Sequence, residues 1–182
     1  DGGFAQYTTA DRRNIAPVQS DLSDAELATF SCSYTTAEGM LNRAQVGADD
    51  VVLVTGASGG VGSALIQLAK RRGATVVGLA SEAKHAQMTT LGADALLPRA
   101  PDHLGKALKA AIGRDTVTVV ADIVGGPAFG TVIDVLARGG RYTCSGAIAG
   151  PLVAIDLRTS RCSARRVPAR RSRCQRRGRR QC

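Results

Sequence analysis

Val51-Val52-Leu53-Val54-Thr55-Gly56-Ala57-Ser58-Gly59-Gly60-Val61-Gly62 is the stretch that decides the fold. Its first four residues form an uninterrupted apolar run, the pattern of a strand buried on both faces. Beyond the glycines, Val61, Leu65, Leu68 and Ala69 recur at helical spacing and predict one face of a helix, closed by Arg71, Arg72 and Gly73. The turn therefore joins a buried strand to a helix N-terminus. Glycines there permit a tight bend and let a pyrophosphate approach unpaired N–H groups, where the helix dipole favours negative charge. They would equally serve close helix-to-strand packing with no ligand; their place in a strand-helix-strand series favours the phosphate site.

Working outward, the unit recurs. Residues 75–80 read as a strand, 82–91 as a helix closed by Gly92, and 95–97 as a short strand. Leu104, Ala107, Leu108, Ala111 and Ile112 mark another helix face, and 116–121 a strand. Phe129, Val132, Ile133 and Leu136 predict a helix ended by Gly139-Gly140, with strands at 141–144 and 152–157. Upstream, Ser23 with Glu26 three residues on is a capping box, and helix continues through Met40, Leu41 and Ala44; residues 4–8 read as a strand. Alternating buried strands and amphipathic helices predict an α/β fold, a Rossmann-type doubly wound parallel sheet with right-handed crossovers.

A length of 182 residues suits one domain with an appendage. With 44% hydrophobic and 21% charged residues the chain is neither disordered throughout, collagen-like nor a coiled coil. Its longest apolar runs are strand-sized, well under the roughly 20 residues of a membrane helix, and no basic-then-apolar leader opens the sequence, so a cytoplasmic address is expected. The net charge of +9 is concentrated in the tail. Residues 160–182 hold ten arginines and no acid, and removing those ten charges leaves −1 for the rest. Five cysteines without regular spacing argue against a disulfide framework.

The cofactor class rests on the end of the second strand. An enzyme using NAD presents an acid to the ribose 2′-hydroxyl about 20 residues past the glycines. Here that position reads Leu79-Ala80-Ser81, with no acid at the strand tip; the acid that follows, Glu82, is expected as the first helical residue to point to solvent and favour the helix N-terminus. Ser81 and Lys84 suit a 2′-phosphate, one by its hydroxyl and one by its charge, which favours NADP(H) over NAD(H). The alternative is that Ser81 caps a helix and Lys84 is a solvated charge.

Thr55-Gly56 followed by Gly60 and Gly62 matches the glycine signature of short-chain dehydrogenases, but the Tyr-Lys pair of that family is absent. Four residues after Tyr7, Tyr34 and Tyr142 stand Asp11, Glu38 and Gly146. A different set of motifs runs in order along residues 2–159: Gly2-Gly3-Phe4-Ala5-Gln6-Tyr7, Leu22-Ser23-Asp24-Ala25-Glu26, Gly59-Gly60-Val61-Gly62, Leu91-Gly92-Ala93-Asp94, Val124-Gly125-Gly126 and Gly139-Gly140-Arg141-Tyr142. Together they resemble the medium-chain dehydrogenase/reductase superfamily, in its quinone oxidoreductase and zinc-type alcohol dehydrogenase-like branch.

That resemblance implies an NAD(P)H-dependent oxidoreductase passing hydride between nicotinamide and a carbonyl, enone or quinone. It implies a remnant of a GroES-like β domain over residues 1–22, a cofactor-binding domain over 23–159, and a homodimer. It assigns the pyrophosphate to Ser58, Gly59, Gly60, Val61 and Gly62, the 2′-phosphate to Ser81 and Lys84, and the nicotinamide side to Thr36 and Gly146-Ala147-Ile148. Cys32 matches a position that supplies one zinc ligand in zinc-dependent members. A catalytic zinc needs three protein ligands, and no second residue has suitable spacing, so an ordinary small buried cysteine is the competing reading. Asp122 is expected either to line the crevice or to cap the next turn. A dinucleotide-binding module without turnover is the alternative function.

The tail breaks the family pattern after Asp156-Leu157-Arg158-Thr159. Residues 160–182 read as a basic, disordered segment, either a frame-shifted or artificial end or, less in keeping with its three scattered cysteines, a nucleic-acid arm.

Overall fold

The computed structural model describes residues 4–153. The chain divides into two compact units at residues 31 and 32. In the first, a 3-10 turn spans Arg12–Asn14 and helix α1 spans Asp24–Ala28. The Ser23 and Glu26 capping box forms as the spacing requires: Ser23 Oγ accepts from the Glu26 amide at 3.4 Å, and Glu26 Oε2 accepts from the Ser23 amide at 2.8 Å. The strand expected over residues 4–8 is not formed. Phe4 and Tyr7 are exposed, and among the described residues no partner strand supplies the ladder that a β segment needs.

Helix α2 spans Phe30–Arg43, and in the second unit strands and helices alternate. Strand β1 is Val51–Val54, α3 Gly60–Arg71, β2 Thr75–Leu79, α4 His85–Thr90, β3 Ala95–Leu97, α5 Leu104–Ile112, β4 Val117–Asp122, α6 Phe129–Asp134 and β5 Leu136–Cys144. The five strands are all parallel, in the order β3-β2-β1-β4-β5. This is the doubly wound sheet expected from the sequence.

Each face of β1 is covered. Val52 and Val54 join Leu65, Ile66, Met40 and Leu41 in one core; Val51 and Leu53 join Leu104, Leu108 and Val132 in the other. All four β1 residues are buried, which is why that segment carries no polar alternation. Burial of each such side chain contributes about 1.5–3 kcal/mol.

Two expectations at the far end of the sheet need correction. Leu136 was expected to extend a helix face ended by Gly139-Gly140, yet α6 stops at Asp134 and Leu136 begins β5. Gly139 and Gly140 lie in a bulge: Val117 pairs with Leu136 and Val119 with Arg141, so five residues of β5 advance against two of β4. Gly139 takes a φ of +76°, which the bulge requires. Leu152 and Val153 form no strand. The rest of that expected strand, and the arginine-rich segment 160–182, lie outside the described residues.

Arg141, just past the bulge, ties the N-terminal end of the sheet. Its Nη1 donates to the carbonyls of Ala44 and Gln45 at 2.8 and 2.9 Å, and its Nη2 pairs with Asp50 Oδ1. Asp50 also accepts from Thr118 Oγ1 at 2.7 Å and from the Gly47 amide at 2.8 Å.

Candidate functional site

From β1 the chain crosses by α3 to β2, whereas β4 leads by α6 to β5 on the opposite side. The connections diverge between the C-terminal ends of β1 and β4, and a doubly wound sheet opens its ligand crevice at such a point. A cleft of about 380 Å³ opens there. Thr55, Ser58 and Gly59 line it from the turn after β1, Asp122 and Gly125 from the exit of β4.

The turn is built by close backbone approach. Gly56 holds a φ of +57°. A Cβ on Gly62 would lie 2.3 Å from the Gly56 carbonyl oxygen and 2.8 Å from the Ala57 backbone, so only glycine lets α3 start this close to β1. The helix has no side-chain cap: Gly59 is its N-cap. The Gly59 amide is committed to the Gly56 carbonyl at 3.0 Å, whereas those of Ser58, Gly60 and Val61 donate to no backbone carbonyl among the described residues. A 12-residue helix thus presents open donors and the positive end of its dipole beside the cleft.

The floor of the cleft is a polar network centred on Asp122, whose partners sequence reading did not find. Asp122 is buried, and its Oδ1 accepts from Thr55 Oγ1 at 2.5 Å, the Val124 amide at 2.9 Å and the Gly125 amide at 3.1 Å. Its Oδ2 accepts from the Tyr142 hydroxyl at 2.7 Å. Thr55 Oγ1 in turn accepts from the Ile123 amide at 3.0 Å. Burial raises the Asp122 pKa, but these four donors outweigh it and hold the carboxyl below its ordinary value. Burial first, and then the Asp122 carboxylate, push the Tyr142 hydroxyl far up, so it stays a protonated donor. Asp122 therefore both lines the crevice and caps the following turn, the two roles the sequence left open.

The other sequence-derived candidates are distributed around this floor. Ile148 lines the cleft, while Gly146 and Ala147 belong to the same loop after β5. That loop is pinned to the exit of β4: the Ser145 amide donates to the Asp122 carbonyl at 3.2 Å and that of Ala149 to the Val124 carbonyl at 2.9 Å. Ser81 stands at the N-cap of the 3-10 turn Glu82–Lys84 but makes no side-chain cap bond, and Lys84 is exposed. Leu79 of β2 pairs with Leu97 of β3, so Ser81 and Arg99 stand two residues past the same pairing on adjacent strands. Arg99 lines the cleft and was missed in the sequence, where nothing local marks it.

Thr36 is half-buried on α2 and is not among the residues lining the cleft. Cys32 is exposed on α2, not the buried residue of the competing reading. His85 is half-buried, 3.3 Å from the Ala80 carbonyl, and His103 is the N-cap of α5. Among the described residues no three His, Cys, Asp or Glu side chains gather where they could hold a metal ion, so these residues do not supply zinc with its ligand set. No helix among them is long and apolar enough to cross a membrane.

Comparison with known proteins bears on this arrangement. The family of zinc-binding dehydrogenases matches residues 60–180. A putative alcohol dehydrogenase from Sinorhizobium meliloti is 52% identical, with a TM-score of 0.81 over 87% of this chain and 44% of that one. Bovine prostaglandin reductase-3 is 34% identical over 82% of this chain and 39% of its own length. An NAD-dependent alcohol dehydrogenase is 32% identical with a TM-score of 0.74, covering 85% of this chain and 49% of that one. A mycobacterial protein complexed with NADPH is 26% identical with a TM-score of 0.72, covering 84% and 49%. The chain spans less than half the length of the curated relatives it matches. By its doubly wound sheet, the glycine turn at the crevice and the match over residues 60–180, the chain belongs to the zinc-binding dehydrogenase family, within the medium-chain dehydrogenases/reductases.

Proposed function

We propose that residues 23–159 bind NADP(H) for an oxidoreductase that moves hydride between nicotinamide and a carbonyl, enone or quinone. The single observation behind this reading is the uncapped N-terminus of α3, with open amides on Ser58, Gly60 and Val61 beside the crevice. Those amides would hold the diphosphate. Ser81 and Lys84, at the exit of β2, would take the 2′-phosphate, with Arg99 adding charge from the exit of β3. The nicotinamide half then falls on the β4 and β5 side, against Gly125 and the loop at 146–148. When bound, the nicotinamide supplies or accepts the hydride.

The residues described here bind and orient rather than exchange protons. The Tyr142 hydroxyl is committed to Asp122. The relatives' names divide between NAD and NADPH, and the absence of an acid at Ser81 supports NADPH for this chain. Among the described residues β5 lies at one edge of the sheet, and it is the surface on which we place a homodimer contact.

Fluorescence titration with NADPH and with NADH tests the reading. The expected result is saturable binding with NADPH at least tenfold tighter; binding of neither at millimolar concentration rejects it. Consumption of NADPH with a quinone, an enone or an aldehyde then separates turnover from binding alone.

A further inference from the structure

The cleft floor contains one group that the binding reading does not use. Asp122 touches the exits of three strands at once: Thr55 after β1, the Val124-Gly125 turn after β4, and Tyr142 within β5. Its own carbonyl and that of Val124 accept from Ser145 and Ala149, so the loop at 145–150 is fastened to the same turn. The fit there is close. A Cβ on Gly126 would lie 2.6 Å from the Ala149 carbonyl oxygen, and one on Gly146 would lie 2.9 Å from that of Ile123. Tyr142 is itself held edge-on against Phe129, with ring centroids 5.3 Å apart.

We infer that Asp122 is a positioning residue that locks the turn at 122–126 and the loop at 145–150 into one rigid wall, and so fixes the nicotinamide half of the cofactor without touching its adenosine half. The assignment of halves rests on the proposed binding mode; the rigid wall does not. A carboxylate acting through overall stability alone would weaken the binding of both halves equally when disturbed. Asp122 is instead bonded on one side of the crevice only, apart from Thr55, and makes no bond to β2, β3 or the residues at 81–84. Its donors are neutral, so the retained charge is stabilised by geometry and not by a partner cation.

The test uses the full chain carrying Tyr142→Phe or Thr55→Val, each removing one hydroxyl donor at nearly constant volume, with Thr55→Ser as the conservative rescue. NADPH binding is expected to weaken at least fivefold in Tyr142→Phe and Thr55→Val, binding of 2′,5′-ADP to stay within twofold of the unaltered chain, and Thr55→Ser to behave as the unaltered chain does. Equal weakening of both ligands, or of neither, overturns the inference. Hydrogen exchange without ligand decides the wall independently: amides of Gly125 and Ala149 should exchange at least tenfold faster in both variants, with Ser63 and Val76 unchanged. Unchanged exchange at Gly125 and Ala149 refutes the wall. An unaltered chain that binds neither NADPH nor 2′,5′-ADP rejects the binding reading, and with it the assignment of halves, while the exchange result still stands or falls alone.

Discussion

Thr55 and Asp122 are 67 residues apart in sequence, and the hydroxyl of the first donates to the carboxylate of the second. The bond closes the C-terminal ends of β1 and β4, the two strands between which the crevice opens. The ends of β1 and β4 are therefore tied at the floor of the crevice, although each is encoded as a separate local motif.

The Asp122 carboxyl gives the chain an acid-sensitive term. Its folded pKa is lowered, against burial, by its four donors. A depressed carboxyl contributes stability that is present above the unfolded value of about 3.9 and is lost as pH falls through the folded value. Asp122→Asn should thus be less stable than the unaltered chain at pH 7, and the gap should narrow between about pH 5 and pH 3. Urea unfolding across that range checks this; a gap constant with pH contradicts it.

Two glycines should respond to the same substitution with opposite sign. Gly62→Ala places a methyl 2.3 Å from the Gly56 carbonyl oxygen, a backbone atom that cannot step aside, and should cost about 1–3 kcal/mol along with NADPH affinity. Gly39 lies inside α2 with nothing within 4 Å of an added Cβ. Gly39→Ala should stabilise by about 0.5–1 kcal/mol, through lower chain entropy in the unfolded state. Denaturant midpoints measure both.

Arg141 offers a test of the opposite end of the sheet. Arg141→Leu leaves two carbonyls and Asp50 without their cation and should cost about 1.5–3 kcal/mol, the scale of hydrogen bonds to a charged group. Combining it with Asp50→Asn should cost less than the sum of the single changes, because both act on one network. A double-variant cycle by chemical denaturation reads the coupling.

Lys84→Met should weaken NADPH several-fold while leaving NADH affinity within twofold, since only the 2′-phosphate distinguishes them. Parallel fluorescence titrations give the comparison, and equal losses for the two would place Lys84 outside the phosphate site.

The central strands were legible because their signals are local. Val51–Val54 is apolar throughout since both faces are covered, and α3 repeats its apolar residues at the spacing of one helix face. Residues 4–8 have strand composition, yet composition supplies no partner, and without pairing they stay irregular. Leu136 fits a helix face as well as a buried strand position, and the glycines after it serve a bulge as readily as a helix end, so periodicity alone misassigned that stretch. The site divides in the same way. The glycine turn announces itself, whereas Asp122 and Tyr142 meet only because β4 and β5 are neighbours, and Arg99 reaches the cleft only because β3 lies beside β2.

The all-parallel order also governs how the chain assembles. β1 can pair with β2 after one short crossover, but its other neighbour is β4, whose residues arrive more than sixty positions later. During synthesis the most apolar strand therefore waits with one hydrogen-bonding edge bare, a template for unwanted pairing between nascent chains. Slow folding and a need for shelter at that stage follow from the topology, independently of any ligand.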